Sequence, residues 1–172
     1  MKINLQLKSL TSRAVLFALN VVALISASSA VAAQPFRTAS GFFDFAVSDH
    51  YTLLGTHGGD TYYREDITFP YLGELTGLAT DVNYIVVHAD DTFESVATEV
   101  CNNCTIGGRT GNFTASYVIV GQQFDRTFQG NSVYTAYFTF TGGSGGLAGL
   151  NGFGTFDGSP NFSYSYRYRF GR

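Results

Sequence analysis

Arg64-Glu65-Asp66 sits between Tyr63 and Ile67 in a run of strand-forming residues. Period-two alternation puts Arg64 and Asp66 on one face and Tyr63, Glu65 and Ile67 on the other. A carboxyl turned into an apolar interior loses hydration, its pKa rises, and it can then exchange protons near neutrality. Glu65 is thus the candidate catalytic acid or base, with Tyr63 beside it. On an outer face the same Glu65 would be an ordinary solvated charge. His88 follows Val87 at the end of another apolar run, and Glu94 and Glu99 lie on a later one. Near the C-terminus Arg167 and Arg169 alternate with Tyr166 and Tyr168. Such a pair binds a carboxylate if it lines a cavity mouth, and is a solvated face otherwise. Arg167 and His88 are the candidate ligand-binding residues.

The two cysteines form Cys101-Asn102-Asn103-Cys104. A redox pair needs a helix N-terminus or basic neighbours to lower a thiol pKa, and this one has strands and asparagines. Zinc needs four ligands, and His50, His57 and His88 are scattered. A local disulfide is the reading that suits an oxidising compartment. No metal and no cofactor is expected.

These side chains must be positioned by strands. No stretch of a dozen residues keeps a helical period, whereas short runs alternate with period two. Ser40 to Ser48, Thr61 to Phe69, Asn83 to His88, Thr92 to Val100, Asn112 to Val120, Val133 to Phe140 and Phe162 to Phe170 all read as strands. Ser48 to Asp60 reads as a loop that could close one end. Turn signals such as Gly58-Gly59-Asp60, Gly107-Gly108 and Asp157-Gly158-Ser159-Pro160 separate the runs. Leu147, Leu150 and Phe153 recur among seven glycines between Gly142 and Gly154. That apolar beat marks strands that bend or approach another backbone closely, not a linker. Seven or eight short strands predict an antiparallel barrel or sandwich, and closure removes edges in a chain so rich in aromatic residues.

The chain opens with Lys2, Lys8 and Arg13, an apolar run from Ala14 to Ala27, and Ala30-Val31-Ala32-Ala33. This is the pattern of a secretory signal peptide cleaved after Ala32 or Ala33. Residues 1–33 are read as the signal and 34–172 as one domain, in a periplasmic or secreted protein. Removing the signal takes three of the ten basic residues, leaving seven arginines against thirteen acids. The net charge of about −6 and the lack of a basic stripe exclude a nucleic-acid partner.

Gly142-Gly143-Ser144-Gly145 through Gly152 resembles the G-G-T-G-x-F-x-G-A-x-G run of dirigent and allene oxide cyclase-like barrels, with Ser144 where threonine is usual. Gly108-Arg109-Thr110-Gly111-Asn112-Phe113 is similar to the family's G-R-x-G-x-F/Y turn, and Phe162 to Phe170 to the closing strand of small bacterial barrels of that type. The resemblance covers about the last two-thirds of the mature chain. It implies an all-β, single eight-stranded antiparallel (calycin-like) barrel with an apolar cavity. Gly108, Gly111, Gly143, Gly145, Gly149 and Gly152 would be its structural glycines. None of the family's catalytic positions falls inside these motifs. The expected function is binding of a small apolar molecule in the lumen, with cofactor-independent cyclisation or isomerisation as the reaction if the protein is an enzyme. The alternatives are a small outer-membrane barrel, the one case with a membrane partner, or a filled structural barrel. Homo-oligomer formation stays open.

Overall fold

The computed structural model describes residues 34–171 apart from Phe45, 124–131 and 159–161. The expected signal segment, residues 1–33, lies outside the described residues. From Gln34 onward the chain forms one compact unit. The described residues form nine strands: β1 (Arg37–Phe43), β2 (Ser48–His57), β3 (Asp60–Gly73), β4 (Leu75–Val87), β5 (Thr92–Ile106), β6 (Arg109–Gln123), β7 (Ser132–Gly145), β8 (Leu150–Asp157) and β9 (Ser163–Phe170). All pairings are antiparallel and belong to one sheet, in the order β1-β9-β8-β7-β6-β5-β4-β3-β2. The pairing returns on itself. Arg37 to Phe42 bonds β9, while Gly41 to Phe43 bonds Tyr71 to Gly73 of β3. The sheet is therefore ring-like.

Alternation builds each element. In β5 buried and exposed residues follow one another from Phe93 through Cys101. In β9 Tyr164, Tyr166, Tyr168 and Phe170 are buried, as their spacing predicts. Several stretches depart from expectation, among them β4, which begins at Leu75 rather than Asn83. The run from Ser40 to Ser48 is not one strand, because β1 ends at Phe43 and β2 starts at Ser48 along the same edge of β3. The segment from Ser48 to Asp60 is strand, not loop. Its glycines serve the hairpin. Gly58 (φ 62°) and Gly59 (φ 95°) form the two-residue turn whose positive φ values suit the right-handed strand twist. Gly55 sits at the bulge between Leu53 and Gly55.

The glycine-rich segment is the β7–β8 hairpin, with buried Leu147 in its turn. Its inward glycines make room for rings. Phe138 of β7 is in register with Gly154 of β8, which is in register with Tyr166 of β9. Gly154 has no side chain, so Phe138 and Tyr166 stack across it with centroids 4.6 Å apart and planes at 15°. Tyr117 extends the stack from Phe138, and Tyr164 from Tyr166. A Cβ on Gly154 would lie 2.1 Å from the Ser165 carbonyl and 2.7 Å from the Tyr166 ring. Each buried ring contributes on the order of 1.5–3 kcal/mol by burial. Each favourable ring pair adds about 0.5–1.5 kcal/mol more.

Cys101 and Cys104 lie close together, Cα atoms 5.9 Å apart, at a register shift of β5 against β6. That spacing is one a disulfide spans. Gly77 of β4 faces them. A Cβ there would meet the Cys104 sulfur at 2.3 Å, and its φ of +138° suits glycine alone.

Candidate functional site

The interior is divided. Ile106, Phe113, Phe140, Leu147, Leu150 and Phe170 fill the end nearest the β7–β8 turn. At the other end, where β4 and β6 finish and β5 and β7 begin, side chains leave a cavity of about 430 Å³. Its walls are mainly aromatic and aliphatic, with Phe43, Phe69, Phe93, Phe156 and three isoleucines, Ile67, Ile85 and Ile119. Polar groups enter from β2, β3, β4 and β5.

Glu65 is one of them. It is buried, 9 % exposed, on the inner face of β3. Tyr51 of β2 donates to its Oε1 at 2.5 Å. The Asn83 amide of β4 donates to its Oε2 at 2.6 Å. Burial raises its pKa to about 7, and the charge of Asp49 adds to the rise against the opposing hydrogen bonds from Tyr51 and Asn83. Burial also lifts the Tyr51 phenol above its ordinary value, followed by the Glu65 charge.

Deeper in, a second acid pair hangs on tyrosines. Tyr117 Oη touches both Asp81 Oδ2 and Glu99 Oε2, the latter at 2.8 Å. Tyr71 donates to the same Glu99 oxygen at 2.9 Å, and Tyr166 donates to Tyr71 at 3.0 Å. A phenol has one hydrogen. If Tyr117 gives it to Glu99, then Asp81 must carry a proton and donate back to the phenol oxygen. The electrostatics agree. Burial first, then the Glu99 charge, raises Asp81 well above the ordinary carboxylate range. Burial raises Glu99 to about 7, while Tyr117 and Tyr71 pull it down. Asp81 is thus the proton holder of the pair at neutral pH.

Of the residues expected to act together, the structure places Glu65 alone at the cavity. Tyr63 shares its face of β3 and packs half-buried against the core, but does not line the cavity. It stands one pleat nearer the hairpin. Arg167 is exposed on the outer face of β9, because Tyr166 and Tyr168 take the inner one, and its guanidinium lies 5.6 Å from the Phe36 ring. It does not line the cavity, and neither does His88. His88 follows β4, with Nδ1 3.2 Å from Asp60 Oδ1, both groups about a third exposed. Among the described residues, no three His, Cys, Asp or Glu side chains form a metal-binding group.

No family model matches the sequence, and no curated protein matches it. Solved structures are similar in fold. One of them is a protein of unknown function from the DUF3224 family of Shewanella oneidensis MR-1, with a TM-score of 0.61 and 18% identity over 80% of this chain and 98% of that one. At that identity the likeness is one of fold alone, and it lends the allene oxide cyclase resemblance no support.

Sequence reasoning missed Asp81, Asn83, Tyr51 and Tyr71. Asp81 and Asn83 lie in line with Ala79, Ile85 and Val87 on one period-two face, which was the available signal. It was hidden because Gly77 made the first half of β4 look like a break. Glu99 was seen, but nothing in sequence said that its face was the inner one.

Proposed function

We propose that the chain is an exported β-barrel that binds one small, mainly apolar molecule inside its sheet. β1 and β2, both laid along one edge of β3, read as one broken stave, which gives a ring of eight. An eight-stranded barrel is wide enough for side chains and one small ligand. Kinship with allene oxide cyclase-like barrels rests on the glycine runs. Export rests on the signal-like N-terminus, and the close cysteine pair fits a disulfide formed after it.

The observation that carries the reading is the cavity of about 430 Å³ with Glu65 in its wall. Small-molecule sites are commonly apolar clefts of about 300–1,000 Å³ holding a few placed polar groups. A molecule held there meets a carboxyl that titrates at about 7. Shape that selects one reactive conformer, with a proton to give or take, is sufficient for isomerisation or cyclisation without a cofactor.

The outer-membrane reading fits less well. Membrane barrels are polar inside and carry an apolar outer band about 25 Å tall. Here most of the rings point inward, with Phe42, Tyr84, Tyr137 and Phe153 outside. Outside, one apolar row runs through Tyr84, Val96, Val118 and Tyr137 in register. The next rows interrupt the band, with Thr98, Ser116 and Thr139 beside Val82 on one side and Glu94 and Thr135 beside Val86 and Val120 on the other.

The test is a fluorescence titration with N-phenyl-1-naphthylamine, a neutral apolar probe. Saturable binding of one probe per chain, abolished by Ser95→Phe, which fills the cavity from β5, is the expected result. Absence of saturable binding to the unmodified chain overturns the proposal.

A further inference from the structure

The cavity wall is chemically one-sided. Four of its residues are acids, Asp44, Asp49, Glu65 and Asp81, and no described lining residue carries a basic side chain. The arginines whose contacts are defined lie elsewhere. Arg64 pairs with Asp66 at 2.6 Å, Arg109 sits over Phe170, and Arg167 and Arg169 sit over Phe36.

Three lining residues also hold a buried polar atom with no partner among the described residues: Asp81 Oδ1, Asn83 Oδ1 and Ser95 Oγ. Their side chains are 2 %, 3 % and 3 % exposed. Asp81 and Asn83 are successive inward residues of β4, and Ser95 stands on β5 in register with Ile85, the next inward residue. All three atoms can accept a hydrogen bond. Leaving a buried acceptor unpaired costs about 1–3 kcal/mol, so a ligand that donates to this row gains what the fold forgoes. Around it stand rings, and ring faces attract cations.

We propose that the cavity takes an organic ammonium, a molecule with an apolar body and a protonated amine directed at Asp81, Asn83 and Ser95. An ammonium group offers three donors to the row, an alcohol one and a carboxylate none. The positive charge is also favoured beside Glu65, which has no basic partner among the described residues, while an anion would be buried among carboxyls. This rests on the reading of the cavity as a ligand site and adds the chemical class of the ligand.

Titration calorimetry at pH 7.5 with three probes of one shape separates the two ideas. 2-Phenylethylammonium should bind about tenfold tighter than 2-phenylethanol, or roughly 1.4 kcal/mol, and 3-phenylpropionate should give no saturable heat. An ammonium seated at Oδ1 favours the Asp81 carboxylate, so its proton is released on binding. Asp81→Asn, which cannot ionise, should therefore remove most of that advantage, and Glu65→Gln part of it, with 2-phenylethanol affinity changed less than about twofold, within the coupling expected of a replaced carboxyl. Alcohol binding equal to the ammonium, or preferred binding of the carboxylate, overturns the proposal and leaves the cavity reading standing. No saturable heat from any of the three overturns both. An unchanged preference in a folded Asp81→Asn variant also overturns the assignment of the amine to this row.

Discussion

Among the buried acids, two titrate where a protein works. Glu65 and Glu99 both lie near 7 in the folded chain, raised from an ordinary 4.5 by burial. The sign of the linkage follows from proton binding. Between about 4.5 and 7 the unfolded chain has lost these protons and the folded chain still holds them. Stability is fully supported below the lower value and falls as pH rises through the upper one. Urea denaturation from pH 4 to 8 should show a smaller loss of stability with rising pH in Glu65→Gln and in Glu99→Gln than in the unmodified chain. An identical profile in both variants contradicts the burial of these groups in ionisable form. Tyr117→Phe removes the one hydroxyl shared by Asp81 and Glu99. Leaving Asp81 Oδ2 without this partner, and Glu99 with Tyr71 alone, should cost about 1–3 kcal/mol, read from the urea midpoint at constant slope. Asp81 was legible only through its period-two face with Ala79, Asn83 and Ile85, a signal that the glycine in Leu75-Thr76-Gly77 weakens.

Individual elements show where glycine is required and where it is only tolerated. Gly154→Ala puts a methyl against the Ser165 carbonyl and the Tyr166 ring, prising apart the Phe138–Tyr166 stack. We expect a loss of roughly 1–3 kcal/mol, the usual cost of overpacking, with a matching fall in Tm. Gly55→Ala meets nothing within 4 Å and carries only the strain of φ +145°, so its Tm should fall less. Equal falls would mean that the stack is not what Gly154 serves. The meaning of this segment was legible in sequence, because a leucine and phenylalanine beat survives among its glycines. The direction of the rings across β8 was not legible, since it depends on which strands become neighbours. β2 was missed for a related reason. Gly55, Gly58 and Gly59 are breakers by composition, yet as a bulge and a primed turn they build the hairpin.

For the whole molecule, alternation was enough to predict an all-β antiparallel sheet and one inward aromatic face. It could not divide the interior into a filled end and a hollow one, because that depends on side-chain volumes summed across every strand. For the same reason it grouped with Glu65 both Tyr63, which shares its face but stands beyond the cavity, and Arg167, which lies on the outer face of β9. A bridge between Cys101 and Cys104, as proposed, would close a loop too short to constrain the unfolded chain strongly. Cys101→Ser with Cys104→Ser should cost up to about 2 kcal/mol, and thiol titration of the unreduced, unfolded chain should find no reactive sulfhydryl. Finding two would contradict the bridge. A sheet with a ligand site at one end and solid core at the other makes a distinct demand on its methyl groups. Methyl NMR of the isoleucines and leucines during addition of 2-phenylethanol tests it directly. Ile67, Ile85 and Ile119 should shift and saturate together, while Ile106, Leu147 and Leu150 stay in place. Shifts confined to the filled end or to exposed leucines, or no saturable shift at the three isoleucines, would contradict it.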